Sequence, residues 1–519
     1  MKAATLRAFL TVHTWTGLIA GMALFIAFYA GAFTVFQSAT AQWQRPELRE
    51  SPATTPQQLE SLLEEVTRTH PRAKENLWVY LPSPFAPRMF VFWREKKPEA
   101  EHLFAFGRDG RAHEISEESK LSDLINQVHY SLGLPERWGT WLMGIVSILY
   151  GLALVSGVLV HLPTLVQDLF ALRRGRNLKR MWQDAHNVIG VLSLPFHIVF
   201  AFTGTLLCVL VLFVAGLNFI GLGGKGAALY QQARYAPEMT KQDAGAAMLP
   251  PAALLAAARD RAPTLQPHFM NYRSYGDAAA TVSIAGPVPG HLSDLGIVTL
   301  EARSGKVVGV QLPGERGNAH AAVRGVTSIH YGTFGGLPVQ WLYFLLGLAG
   351  AFLFYSGNLL WIESRRKRRQ IEQPRVHRFL ARLTVGVCLG CCAALSATFV
   401  ASLLLQNAGG EWRTYYAVFL GSVLWAQLRP PARAAIELAL LAGVLSLAVP
   451  VTNAIVTGDH LFRTAMTGQW QVFGVDAVAI ALGLGFLRIA QVTWRRARNG
   501  DSNSVWSLAP PAGTAQPAE

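Results

Sequence analysis

Residues 8–44 read AFLTVHTWTGLIAGMALFIAFYAGAFTVFQSATAQWQ, without a single Asp, Glu, Lys or Arg. About 20 apolar residues in a helix cross the roughly 30 Å hydrocarbon core of a bilayer, so this stretch predicts a membrane span. Further uncharged or nearly uncharged stretches lie between residues 137–168, 184–225, 324–363, 382–411, 413–429, 437–459 and 468–494. The sequence therefore predicts a polytopic α-helical membrane protein with about eight transmembrane helices.

The composition of the 519 residues excludes several classes of protein. Hydrophobic residues make up 51% and charged residues only 15%, whereas soluble domains are about 25% charged. The net charge of +14 is carried in short runs between apolar stretches, which is typical of membrane proteins and not of nucleic-acid-binding proteins. All four cysteines fall in apolar segments, which argues against a disulfide framework.

The positive charges predict the orientation. Lys and Arg cluster before helix one, between helices two and three, after helix four, between helices six and seven, and after helix eight. These clusters alternate with the spans so that all fall on one side, which the positive-inside rule assigns to the cytoplasm. We expect a bacterial inner-membrane protein with both termini cytoplasmic. Cleavage after Ala39-Thr40-Ala41 is not expected, because the preceding apolar stretch is too long for a signal peptide.

Two long loops, at about 38–128 and 217–326, fall on the opposite, periplasmic side. Each begins with a helical pattern and continues in segments of alternating polarity, such as 89–93 and 281–284, which is typical of strands. The loops therefore predict two small α+β domains. The division is 1–37 (helix one), 38–128 (first domain), 129–216 (helices two and three), 217–326 (second domain), 327–369 (helix four), 370–498 (helices five to eight) and 499–519 (disordered cytoplasmic tail).

The first half of the chain contains an internal repeat. His13, Gly17 and Gly31 of helix one each have a counterpart 173 residues later, at His186, Gly190 and Gly204. His129-Tyr130 and Ser156-Gly157 likewise recur at His330-Tyr331 and Ser356-Gly357. This pattern indicates a duplicated helix–domain–helix unit whose four helices form one core.

Histidines occupy the repeated positions, and ligand-capable groups in a membrane indicate a functional site. His13 and His186 share a depth near the cytoplasmic face, and His129 and His330 share a depth near the outer face. His197 follows His186 by eleven residues, which in one continuous helix is three turns further along the same face. Two layers of histidines within a four-helix bundle suit two stacked b-type haems, each with two axial imidazoles. Covalent c-type haem is excluded, because no Cys-x-x-Cys-His occurs.

Three stretches resemble one known family. They are His161-Leu-Pro-Thr-Leu-Val-Gln-Asp-Leu-Phe-Ala-Leu-Arg173, Asp184-Ala-His-Asn187 and Leu194-Pro-Phe-His197 with Thr203-Gly204. These stretches are similar to the PepSY-associated transmembrane-helix proteins, which include iron-regulated inner-membrane proteins and siderophore-iron reductases. The resemblance covers about residues 6–369. It implies PepSY-like periplasmic domains, two haems, electron delivery to ferric chelates, and iron ligands among His13, His129, His161, His186, His197 and His330.

Our hypothesis is a dihaem b-type protein that reduces ferric iron, held by a siderophore, in the periplasm. We assign His13 with His186 to an inner haem and His129 with His330 to an outer haem, with His161 and His197 as substitute ligands. His161 has Trp361 as its repeat counterpart, which breaks the symmetry there.

The electron donor is a quinol or a cytoplasmic reductase, because the chain shows no dinucleotide fingerprint in a strand–turn–helix setting. Asp476 and Arg488 in the last helix form a quinone or proton site, form a simple membrane ion pair, or merely lie near the helix ends. Two alternatives to the reductase stay open: a membrane protein whose periplasmic domains bind a partner such as a peptidase, and a permease for the chelate.

Overall fold

The computed structural model describes residues 3–46, 49, 56–83, 88–96, 99–106, 112–114, 121–162, 178–220, 245–293, 295–316, 318–366, 373–405 and 409–509. Most of the basic loop before helix three and of the His161–Arg173 motif lies outside these residues. The chain divides into two compact units, which we call the helical unit (1–44, 119–210 and 340–519) and the sheet unit (45–118 and 211–339).

Most of the described chain is helical. The helices are α1 Ala3–Thr34, α2 Gln37–Gln44, α3 Pro56–Thr69, α4 Leu121–Ser131, α5 Glu136–His161, α6 Leu178–Leu192, α7 Leu194–Ile220, α8 Pro251–Arg261, α9 Asn318–Tyr331, α10 Gly336–Ser364, α11 Arg375–Leu404, α12 Gly410–Leu428, α13 Pro431–Thr457, α14 Leu461–Met466 and α15 Trp470–Arg498.

The described helices confirm a multi-pass membrane protein. Six of them are long and apolar enough to cross a bilayer. These are the helices that end at Thr34, His161, Ser364, Leu404, Thr457 and Arg498. A seventh span results if α6 and α7 count as one bent pair. The remaining predicted span corresponds to α12, which carries Glu411 and Arg413 in its first turn. An eight-span topology stays a prediction.

Helix three of the prediction is not continuous. α6 ends at Leu192 and α7 begins at Leu194, and the two axes are bent by 72°. Pro195 accounts for the break, because proline has no N–H to donate and its ring clashes with the carbonyl four residues earlier. The expectation that His186 and His197 project from one face of a straight helix is therefore wrong.

The sheet unit contains eight antiparallel strands in the order β4-β3-β2-β1-β5-β6-β7-β8. The strands are β1 Asn76–Tyr80, β2 Phe90–Lys96, β3 Glu99–Phe106, β4 Ala112–Glu114, β5 Phe269–Arg273, β6 Thr281–Pro287, β7 Leu295–Glu301 and β8 Val307–Gln311. Each half is a helix followed by a four-stranded meander, which repeats the α+β pattern predicted for each loop.

The two halves form one sheet and not two separate ones. β1 pairs with β5 in the register Leu77 to Tyr272 and Val79 to Met270. These four side chains are buried in a single core with residues of α3 and α8. An unpaired edge strand exposes a row of hydrogen-bonding groups, and the pairing of β1 with β5 covers the edge that each would expose in a separate sheet.

The beginning of the predicted disordered tail is ordered. Ser504 donates a hydrogen bond to Glu363 at 3.2 Å, and Arg366 forms an ion pair with Asp501 at 3.0 Å. A buried carboxylate at the end of α10 thus holds this segment, which composition alone does not reveal. Residues 510–519 lie outside the described part of the chain.

Candidate functional site

The helical unit brings together His13 of α1 and His186 of α6. Their ring centres lie 6.1 Å apart, and the ring planes are inclined at 72°. Two imidazoles on opposite sides of one iron, with metal–nitrogen bonds of about 2 Å, have ring centres about 6 Å apart. The spacing of this pair therefore fits the axial ligands of one haem.

Both rings are fixed through the same nitrogen. His13 Nδ1 lies 2.8 Å from the carbonyl oxygen of Ala153 on α5, and His186 Nδ1 lies 3.1 Å from that of Leu353 on α10. A carbonyl oxygen only accepts, so each Nδ1 carries the proton and donates. In a neutral imidazole with this tautomer, Nε2 keeps its lone pair. In metal sites, a hydrogen bond from the other ring nitrogen orients a histidine ligand in this way.

A glycine stands four residues after each carbonyl acceptor, where the helix presents it to the same ring. A Cβ atom built on Gly157 would lie 2.9 Å from the His13 ring, and one on Gly357 would lie 3.1 Å from the His186 ring. Any other residue would displace the imidazole or the helix. We call each combination of carbonyl and glycine a histidine seat.

His129 of α4 occupies a third seat, on α1. Its Nδ1 lies 2.7 Å from the carbonyl oxygen of Ala27. A Cβ atom on Gly31, four residues further, would lie 2.6 Å from the His129 ring. His129 is thus held like His13 and His186, with Nε2 again left as the acceptor nitrogen.

His330, the predicted partner of His129, lies on α9 in the sheet unit, next to Tyr331 with ring centres 5.6 Å apart. Because the two histidines belong to different units, their pairing on an outer haem stays a prediction. The repeat places Gly204 at the position equivalent to Gly31.

The two substitute ligands have different surroundings. His161 is the last residue of α5 and lies within electrostatic range of both His13 and His186. His197 is fully buried, with Nδ1 2.5 Å from the Tyr150 hydroxyl. Its Nε2 atom is buried and has no hydrogen-bond partner among the described residues. A buried orphan nitrogen costs free energy unless a ligand satisfies it.

Two aromatic residues follow, along the chain, the residues whose carbonyls form two of the seats. Phe28 follows Ala27 of the His129 seat, and Phe354 follows Leu353 of the His186 seat. Their ring centres lie 5.0 Å apart. Tyr150 and His197 contact both rings.

The predicted pair Asp476 and Arg488 does not form an ion pair among the described contacts. Asp476 is fully buried and accepts hydrogen bonds from Trp43 and Asn453, whereas Arg488 is exposed and donates to Gln491. No three His, Cys, Asp or Glu side chains of the described residues form a group that could hold a metal ion. A haem iron needs only two protein ligands, because the porphyrin supplies four.

Sequence reasoning missed the groups that fix the histidines. The carbonyls of Ala27, Ala153 and Leu353 leave no mark in a sequence, since every residue has one. The repeated Ser-Gly pairs at 156–157 and 356–357 did carry a signal, but they served only as evidence of duplication. Their role as part of the seats requires the structure.

Comparison with known proteins shows the family of this chain. The uncharacterized protein PA4219 of Pseudomonas aeruginosa is 29% identical over 418 residues, which cover 75% of this chain and 96% of that protein. Residues 10–364, which contain all six candidate histidines and both halves of the repeat, match the family described as the PepSY-associated TM region. The protein therefore belongs to the PepSY-associated TM region family.

Proposed function

We propose that this protein is an inner-membrane electron-transfer protein with two b-type haems that reduces ferric iron, bound to a siderophore, in the periplasm. The observation that carries the proposal is the pair His13 and His186. Their rings are 6.1 Å apart, and each Nδ1 is bonded to a helix carbonyl. A b-type haem with two axial histidines takes a pair of imidazoles at this spacing.

A bound haem supplies reversible one-electron chemistry between ferric and ferrous iron. The residues of this chain determine where it is held and in what surroundings. The carbonyls of Ala153 and Leu353 fix the tautomer and ring direction of His13 and His186, and Gly157 and Gly357 give the rings room. A hydrogen bond from Nδ1 also makes an imidazole a stronger ligand.

The aromatic cluster around Phe28 and Phe354 supports electron transfer between two layers. Phe28 and Phe354 follow the carbonyl residues of the His129 and His186 seats, and their rings contact each other and those of Tyr150 and His197. Phe28, Tyr150 and His197 are buried, and burial influences haem potentials.

Electrons enter from the cytoplasmic side or from quinol and leave toward the periplasm. The positive charges of the short loops support an orientation with both termini in the cytoplasm and the two long loops in the periplasm, and the proposed direction rests on that orientation together with a periplasmic acceptor. The acceptor is a ferric chelate, the substrate class that the family resemblance implies.

The test is rapid mixing of the dithionite-reduced protein in detergent with a ferric siderophore, while the haem α-band is followed. We expect reoxidation by the ferric complex and none by the redox-inert gallium(III) complex of the same siderophore. Failure of the ferric complex to reoxidise the haems would contradict the reductase. Haem-free protein that retains a bound periplasmic protein would instead favour the partner-binding alternative.

A further inference from the structure

Helix α4, which carries His129, is held at both of its ends by hydrogen bonds that lead to the helices after residue 364. At its start, the backbone N–H of Leu121 donates to Gln44 Oε1 at 3.2 Å, and Gln44 Nε2 donates to Glu411 of α12 at 3.4 Å. All three residues are buried. A buried N–H without such a partner would be costly, so the bond fixes where α4 begins.

Just after α4, the hydroxyl of Tyr416 on α12 donates to the carbonyl of Gly133. Gly133 has φ +75°, which favours glycine, and a Cβ atom there would lie 3.5 Å from the rings of Trp412 and Tyr415. The turn between α4 and α5 is therefore packed against α12.

Helix α2, which supplies Gln44, is itself anchored in the C-terminal helices. Trp43 Nε1 donates to Asp476 of α15 at 2.7 Å, and Asn453 of α13 donates to the other oxygen of that carboxylate at 2.8 Å. All three residues are fully buried. Removing one partner of a buried charged group is costly, so this network holds α2 firmly.

We propose that helices α11–α15 are a positioning element for His129, acting through Gln44 at one end of α4 and Tyr416 at the other. This inference rests on the proposed function, since it takes His129 as an iron ligand. Glu411, Tyr416, Asn453 and Asp476 all lie beyond residues 10–364. The C-terminal helices, which lie outside the residues that match the family, would thus have a role in holding the outer haem.

The test compares the full-length Gln44→Ala/Tyr416→Phe protein with the unsubstituted protein. The His129→Ala and His13→Ala variants first assign the spectrum of each haem. The rate of haem transfer to excess apomyoglobin is then measured for both proteins. We expect the His129 haem to be lost about tenfold faster, the usual size of an effect on ligand orientation, and the His13 haem to be lost at an unchanged rate. The low-temperature EPR signal of the His129 haem alone should shift.

Two variants serve as controls. Ser396→Ala removes a buried hydrogen bond of 2.9 Å to Ser446 that involves no residue of α2 or α4, and it should leave both rates unchanged. Glu411→Gln keeps an acceptor oxygen for Gln44 and should behave like the unsubstituted protein. Equal acceleration of both haems, or no acceleration, would overturn the proposal. Absence of a His129-dependent haem from the unsubstituted protein would instead contradict the proposed function, and the inference with it.

Discussion

The Nδ1 atoms of His13 and His186 are bonded to the carbonyl oxygens of residues 153 and 353, which occupy equivalent places in the two halves of the internal repeat. The duplication has thus preserved a hydrogen bond as well as a side chain. One imidazole comes from each half, and their ring centres lie 6.1 Å apart with the planes inclined at 72°. A pair of this kind suits a single ligand that lies between the halves.

Removal of either imidazole tests this pair. We expect His13→Ala and His186→Ala each to remove the absorbance of the same haem, because each takes away one of its two axial ligands, while the other haem and membrane insertion remain. The double variant should lose no more haem than either single variant. Haem-specific difference spectra of the purified proteins measure this.

His377→Ala is the control for that series. His377 packs against Trp361 with ring centres 5.6 Å apart and is not assigned as a ligand. Full haem content in both His13→Ala and His186→Ala, or a loss in His377→Ala of the same size, would contradict the assignment.

The glycines of the His13 and His186 seats allow a second prediction. A methyl group at Gly157 or Gly357 would lie within about 3 Å of an imidazole. We expect Gly157→Ala and Gly357→Ala to lower the affinity for the inner haem about tenfold, which haem titration of the apoprotein measures. Gly151→Ala on the same helix α5 is the matched control, because no atom lies within 4 Å of its Cβ position. Equal effects at Gly151 and Gly157 would exclude a specific role for the seat.

The glycines of helix α1 allow the corresponding test for the proposed outer haem. Gly31→Ala should displace the His129 ring, since the added Cβ atom would lie 2.6 Å from it, and Gly17→Ala should have little effect because its Cβ position is open. The expected result is a changed EPR signal and midpoint potential of the outer haem in Gly31→Ala only. An altered inner haem in Gly31→Ala would argue against the placement of His129 in a separate layer.

The pairing of β1 with β5 in the sheet unit allows a prediction about stability. Leu77 is fully buried on β1 and pairs with Tyr272 on β5. Leu77→Ala should cost about 2–5 kcal/mol, because it leaves a cavity in the core shared by both halves. Hydrogen exchange should then accelerate in β1 and in β5 alike, whereas exposed Arg303→Ala should change neither. Faster exchange confined to β1 would show that the halves unfold independently.

Much of the fold could be predicted from the sequence because a few strong signals dominate it. Long uncharged stretches predict spans, period-two alternation predicts strands, and the constant offset of His13, Gly17 and Gly31 from their counterparts reveals the duplication. The merger of the two loops into one sheet could not be predicted in this way. Edge pairing depends on which strands meet in space, and the alternation of Leu77 and Val79 would be the same in either arrangement.

The candidate site shows a similar limit. The repeat singled out His13, His129 and His186, and the structure places all three in seats of the same design. The bend after Leu192 was missed, because Pro195 lies within a strongly apolar stretch that otherwise predicts one helix. The carbonyl acceptors and the buried contacts of Asp476 depend on packing between distant segments, which spacing along the chain does not encode.

The most direct test of the central claim is a haem count. The protein would be expressed with ample haem supply, purified in detergent, and examined by reduced-minus-oxidised visible spectra and a pyridine haemochrome assay. We predict two b-type haems per chain, falling to one in His13→Ala. Purified protein without haem under these conditions would contradict the assignment of these histidines and the reductase function with it.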